Sequence, residues 1–227
     1  METHKSHLKV HKFVIPPLLI SWVLLFYLSS FFLVNIQNVI QGSRRRHGVK
    51  SYAEVKRPDG SSLILAAIGT LVFFAEAIVL MMIGFDVEAF RFIYSLNLNI
   101  HYDASLQLVG IVLMGAGVFI FVWSVISRGR YAVSWEMPED HALVTWGPYR
   151  YVRHPSYLGY FLMFAGLLLT WLNLAAVLPL MAIPGYIGIV PHEEELLISR
   201  FGEKYRRYME RTGRFLPPIL PSLSAGS

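Results

Sequence analysis

The sequence predicts an all-α, multi-pass transmembrane helical bundle, and three observations carry that reading. The 227-residue chain is 55% hydrophobic and only 15% charged, against about 25% charge in an average soluble domain. Its mean hydropathy is +0.49. Its apolar residues fall in long runs, as a bilayer requires and a soluble core does not. Together these predict one integral membrane domain over residues 1–227 with about five spans. The last two spans form a helical hairpin, and a C-terminal amphipathic helix follows. Residues 1–130 hold the N-terminal spans, 131–218 the polar signals, and 219–227 a flexible tail.

Each span follows from length. Crossing the hydrocarbon takes about 20 helical residues. The first run is Phe13–Ile40, too long for a signal-peptide core. The second is Leu63–Phe85 and the third Leu106–Ile126. Tyr157–Val190 is too long for one span and is interrupted at Trp171-Leu172-Asn173, so it reads as a tight hairpin. Pro179 and Pro184 are tolerable there if neighbouring helices cover the freed backbone groups. Between the second and third spans, Phe90, Ile93, Tyr94 and Leu98 fall near helical spacing and predict a short interfacial helix. From Glu193 to Thr212, Leu197, Phe201, Tyr205 and Tyr208 share one stripe among basic residues. That tail helix suits a membrane-surface anchor as well as a cover for a site.

Charge sets the orientation. If the loops after spans one and three and the tail lie on one side, that side holds 16 Lys and Arg and the other 4. The imbalance predicts a cytoplasmic C-terminus. The net charge of +5 flanks apolar runs, so anionic membrane lipids are the expected partners and nucleic acid is not. With no cysteine, disulfides and thiolate chemistry are excluded.

The strongest polar signals sit on the predicted cytoplasmic side, in His141–Tyr157 and His192–Glu195. The hairpin would bring the two together. Gly147-Pro148 makes a turn. His154-Pro155 fixes extended backbone at the mouth of the next helix, and Pro155 suits a helix's first turn. Arg150, Arg153 and His154 offer donors, while Glu193 and Glu194 offer acceptors for an ammonium. A ligand carrying both a carboxylate and an amine would suit the pair. The same residues also fit plainer roles. Arg150 and Arg153 suit positive-inside anchors, and Tyr149, Tyr151 and Tyr157 an interfacial aromatic belt. The acidic triplet suits a helix's first turn. No ligand pair at metal spacing stands out, and no metal is expected. Glu76 lies mid-span between Ala75 and Ala77. A carboxylate there must face the bundle interior, either toward a substrate cavity or as a protonated or hydrogen-bonded group between helices.

The string GPYRYVRHPSYLGYF at 147–161, with EExxLxxxFGxxYxxY beginning at Glu193, resembles the isoprenylcysteine carboxyl methyltransferase family. That family sits within a wider group of membrane methyltransferases that includes phospholipid N-methyltransferases. The match covers residues 141–217. The resemblance implies a cofactor-binding catalytic region at 131–218 and S-adenosylmethionine as cofactor. It implies that His141, Ala142, Leu143, Val144, Tyr149, His154, Pro155, Ser156, Tyr157 and Glu193 contact that cofactor, and that a lipophilic acceptor enters from the bilayer. Arg153, His192, Glu194 and Glu76 are the candidate substrate-side residues; no catalytic base is assigned. The chain departs from the family pattern at two positions. The family arginine one turn before the first glutamate is Ile189 here, and an upstream glutamine is Ser134. An NADPH-dependent sterol-type reductase, which shares an Arg-His-x-x-Tyr element, and a non-catalytic scaffold are the alternatives.

Overall fold

The computed structural model describes residues 14–45, 51–52, 59–98, 104–129, 137–138 and 142–218. His141, Ser134 and the tail 219–227 lie outside the described residues. Among the described residues six α-helices make up the fold: α1 (Pro17–Arg45), α2 (Gly60–Gly84), α3 (Ala104–Arg128), α4 (Pro155–Trp171), α5 (Ala182–Phe201) and α6 (Glu203–Arg211). Ser51–Tyr52 and Met137–Pro138 form a two-residue antiparallel pairing. The segments Pro17–Ile40, Gly60–Gly84, Ala104–Arg128 and Ala175–Phe201 are long and apolar enough to cross a membrane. The chain is thus an integral, multi-pass membrane protein. At 17 residues, α4 is shorter, rising about 26 Å.

The helices approach closely because small residues line their seams, which is how membrane helices gain packing without a hydrophobic drive between them. A β-carbon on Gly117 of α3 would stand 2.5 Å from the Gly159 carbonyl oxygen of α4. One on Gly166 of α4 would stand 2.6 Å from the Met114 backbone nitrogen. The α2–α5 seam repeats the device, with a Gly69 β-carbon only 2.7 Å from the Ala182 nitrogen. Aromatic rings fill the centre: Phe31 stacks on Phe121 at 4.4 Å, and Phe73 meets Phe164 edge-on at 5.3 Å.

The expected hairpin is present. α4 ends where Leu172 turns left-handed at φ 43°, and a 3-10 turn over Ala175–Met181 leads into α5. Asn173 is fully buried. Its side-chain amide donates to the Ile93 carbonyl at 3.0 Å and to Asn97 Oδ1 at 2.8 Å, and its oxygen accepts from the Ala175 N–H at 2.8 Å. One polar side chain thus ties the hairpin to the connector between α2 and α3. Asn173→Ala is expected to cost about 1–3 kcal/mol, because the backbone groups it satisfies are left buried without partners. Thermal unfolding in detergent would measure this; an unchanged midpoint would refute it.

The short helix expected after α2 is a 3-10 helix over Glu88–Leu96. One expectation needs correction: the tail is not one amphipathic helix from Glu193 to Thr212. Instead α5 runs unbroken from the apolar span through the acidic triplet to Phe201. Gly202, at φ 53°, breaks the path where a side chain would be strained, and α6 starts afresh. The triplet therefore lies within a helix and not in its first turn.

Candidate active site

The buried ion pairs concentrate at the end of the bundle where α3 ends, α4 begins and α5 passes by. The approach to α4 is built first. Gly147, at φ 61°, turns the chain over the end of α3, where Trp146 Nε1 donates to the Ser127 carbonyl at 3.0 Å. A short 3-10 turn over Gly147–Arg150 follows and buries Tyr149. The Tyr208 hydroxyl of α6 donates to the Tyr149 carbonyl at 2.6 Å, so the tail holds this turn. Pro155 opens α4 in the first-turn position where its missing N–H costs nothing.

The hairpin then returns Glu193 and Glu194 to the start of α4. Tyr157 donates its hydroxyl proton to Glu193 Oε1 at 2.6 Å. His154 lies between the two glutamates, with Nδ1 3.4 Å from Glu193 Oε2 and Nε2 3.4 Å from Glu194 Oε1. Carboxylates only accept, so an imidazole facing one from each nitrogen is favoured in its doubly protonated, charged form. Burial opposes that charge. The hydrogen bonds and charges of Glu193 and Glu194 outweigh it and hold the His154 pKa above its ordinary 6.5.

The two glutamates differ sharply. Glu194 is 3% exposed and fully engaged: Oε1 accepts from Arg153 Nε at 2.8 Å, and Oε2 from Arg214 Nη2 at 2.7 Å. Arg153 spends another nitrogen on the carbonyls of Met209 and Thr212. Arg153 and Glu194 thus lock each other and clamp the tail. Glu193, with a side chain 29% exposed, keeps an open edge and spare lone pairs. The segment after α6 completes the clamp. The Arg153 and His154 N–H groups donate to the Gly213 and Arg214 carbonyls at 2.9 and 3.0 Å, and the Phe215 ring lies 6.0 Å from that of His154. An aromatic wall continues into the bundle, with Tyr157, Tyr186 and Tyr160 in ring contact at 4.6 and 5.3 Å.

The other candidates fall as follows. Leu143 and Val144 are buried and Ala142 half-buried. Ser156 is buried, its hydroxyl 2.6 Å from Ser124 Oγ of α3. His192 turns back on its own helix, with Nδ1 3.4 Å from the Gly188 carbonyl oxygen. Arg150 is exposed. Glu76 is buried in the bundle at 7% exposure, and its Oε2 has no hydrogen-bond partner. Ile189 is buried and apolar. Thr212, Arg214 and Phe215 were not singled out by sequence. Arg214 reads there as one more tail charge, and only the Pro217-Pro218 stop just beyond it hints that the chain is held.

A pH effect follows from His154. A group whose folded pKa is raised stabilises the fold fully below its unfolded value and loses that contribution as pH rises through the folded value. Thermal stability in detergent is therefore expected to fall as pH rises above 6.5, and the slope to flatten in His154→Asn. Parallel slopes in the two proteins would refute the charged imidazole.

Residues 106–204 match a family model described as phospholipid methyltransferase. That stretch runs from the start of α3 to the start of α6 and contains both arms of the hairpin site. The chain is also similar to the protein-S-isoprenylcysteine O-methyltransferase of Tribolium castaneum, at 32% identity over 96 residues, 41% of this chain and 34% of that protein. It is 36% identical over 83 residues to the Schizosaccharomyces pombe protein of the same name, 36% of this chain and 35% of the relative. Against protein-S-isoprenylcysteine O-methyltransferase A of Arabidopsis thaliana it is 28% identical over 113 residues, 48% of this chain and 57% of the relative. The chain therefore spans about a third of the first two relatives and just over half of the third. A solved structure of a eukaryotic intramembrane Ras methyltransferase, isoprenylcysteine carboxyl methyltransferase, aligns with 91% of this chain and 69% of its own at TM-score 0.49 and 24% identity. The likeness read from residues 141–217 points to these same relatives.

Proposed function

We propose that this chain is an integral membrane methyltransferase that takes S-adenosylmethionine as methyl donor and acts on a lipophilic acceptor entering from the bilayer. The site then faces the cytoplasm, as the charge imbalance predicts. The observation that carries the reading is the junction of Tyr157 and His154 with Glu193 across the hairpin, inside the stretch matched to phospholipid methyltransferases.

The residues present fit such a donor. It is cationic at sulfur and amine, and Glu193 offers a carboxylate with an open edge beside a tyrosine wall whose ring faces attract cations. When bound, S-adenosylmethionine supplies an already activated methyl group. What remains for the protein is to align the acceptor atom and exclude water. Ala142, Leu143, Val144 and Tyr149 form the packed approach, and His154, Pro155, Ser156 and Tyr157 the mouth of α4. His141 belongs to this set by resemblance alone. Arg153 and Glu194 act as positioning residues, since their charges are spent on each other. Glu76 and His192 are candidates for contact with polar groups of the acceptor. A carboxylate acceptor, the kind that the named relatives methylate, needs no general base. Isoprenylcysteine is therefore the first acceptor to try.

Equilibrium binding of tritiated S-adenosylmethionine and of NADPH to the purified protein tests the reading. Saturable S-adenosylmethionine binding is expected, weakened about tenfold or more in Glu193→Gln through loss of a charge-assisted bond. NADPH binding alone would point to a reductase, and binding of neither to a scaffold.

A further inference from the structure

Arg128 ends α3 beside the mouth of α4. Its Nη2 donates to Ser156 Oγ at 3.2 Å. Ser124 Oγ donates to the Phe121 carbonyl at 2.7 Å, so its single proton is used. In the 2.6 Å Ser124–Ser156 contact Ser156 must then be the donor, which leaves its lone pair for Arg128. This relay holds the guanidinium in place. Its Nε is buried and has no hydrogen-bond partner, and no carboxylate pairs with it among the described residues. Arg153 and Arg214, by contrast, are spent on Glu194. The location sharpens the imbalance. The first-turn N–H groups of α4 have no acceptor in their own helix and carry partial positive charge. A guanidinium there meets no compensating charge from the helix. Ser156 is followed in α4 by Tyr157, the residue bonded to Glu193.

We propose that Arg128, oriented by Ser156, is a carboxylate seat of the active site, with Nε and Nη2 forming the fork that grips two carboxylate oxygens. Planar guanidinium matches carboxylate in this bidentate way. The proposal rests on the methyltransferase reading. Two carboxylates could fill the seat, that of the cofactor's amino-acid end and that of the acceptor.

The experiment compares wild type with Arg128→Gln and Arg128→Lys. One arm measures binding of S-adenosylmethionine and of its decarboxylated analogue. The other measures KM for N-acetyl-S-farnesylcysteine and inhibition by its carboxamide. Arg128→Gln is expected to weaken one carboxylate ligand about tenfold or more while its neutral counterpart changes less than about twofold. Loss in the first arm assigns the seat to the cofactor, and loss in the second to the acceptor. Arg128→Lys keeps the charge without the fork and is expected to recover only part of the loss, which separates the seat from a folding defect. Equal change for charged and neutral ligands, or no change in any, overturns the proposal. Wild-type protein that binds neither donor nor acceptor overturns the underlying reading and the seat with it.

Discussion

Glu194→Ala is expected to destabilise the protein by about 3–5 kcal/mol, the cost of leaving a buried charge without its partner. The charge left behind is chiefly Arg153, whose side chain is only 10% exposed. Arg214 is 43% exposed and would be largely rescued by solvent, so it adds little. His154 would also lose one of its two carboxylates. The damage would spread to the tail, because Arg153 holds the Met209 and Thr212 carbonyls only while Glu194 holds Arg153. Glu194→Gln keeps the shape and one acceptor oxygen and should fall between wild type and alanine. Glu193→Gln removes one of the two carboxylates that face the buried His154, so it should lower stability less than Glu194→Ala does while weakening donor binding through its open edge. Thermal unfolding of the three variants in one detergent separates the roles. A Glu194→Ala midpoint within a degree or two of wild type would show that the clamp does not hold the fold.

Gly117→Leu is expected to be at least as damaging, costing about 3 kcal/mol or more, at the upper end for overpacking. A β-carbon there already meets the Gly159 carbonyl oxygen at 2.5 Å and Met163 Cγ and nitrogen at 2.8 Å. Two of those three atoms are backbone, so no rotamer change can make room and α3 must move off α4. The functional consequence is specific. Ser124 and Arg128 lie on the stretch of α3 that follows, and both reach Ser156 across this seam. Site geometry should therefore fail together with stability. Gly60→Ala is the control, because a β-carbon at Gly60 meets nothing within 4 Å. Comparable loss in both variants would mean that the seam is not what Gly117 serves.

Much of the architecture was legible in the sequence for a plain reason. Apolar runs of the length a bilayer demands identify helices regardless of how they pack. Trp171-Leu172-Asn173 announced the hairpin because a strongly polar residue inside a long apolar run needs partners, and Asn173 finds them in Ile93 and Asn97. The tail was misjudged because its stripe of Leu197, Phe201, Tyr205 and Tyr208 keeps helical spacing across Gly202. Periodicity does not register a single residue turned to positive φ.

The candidate site divides in the same way. By itself the sequence placed its strongest polar signals at 141–157 and 192–195, beside the ends of apolar runs, and led to the expectation that they meet, because residue types and turn signals are local. It also determined that a membrane surrounds them. Only the tertiary structure decided how the charges are distributed among them. Arg153 and Glu194, equal in sequence to Arg150 and Glu193 as ligand donors and acceptors, neutralise each other. Arg214 and Phe215 come back from the tail to close over His154. Arg128, which counts in sequence only as a charge at the end of a span, is left with a buried unpaired nitrogen beside Ser156. Pairing between charges depends on distances of a few ångströms between α3, α4, α5 and the tail, and no local pattern along the chain encodes those distances.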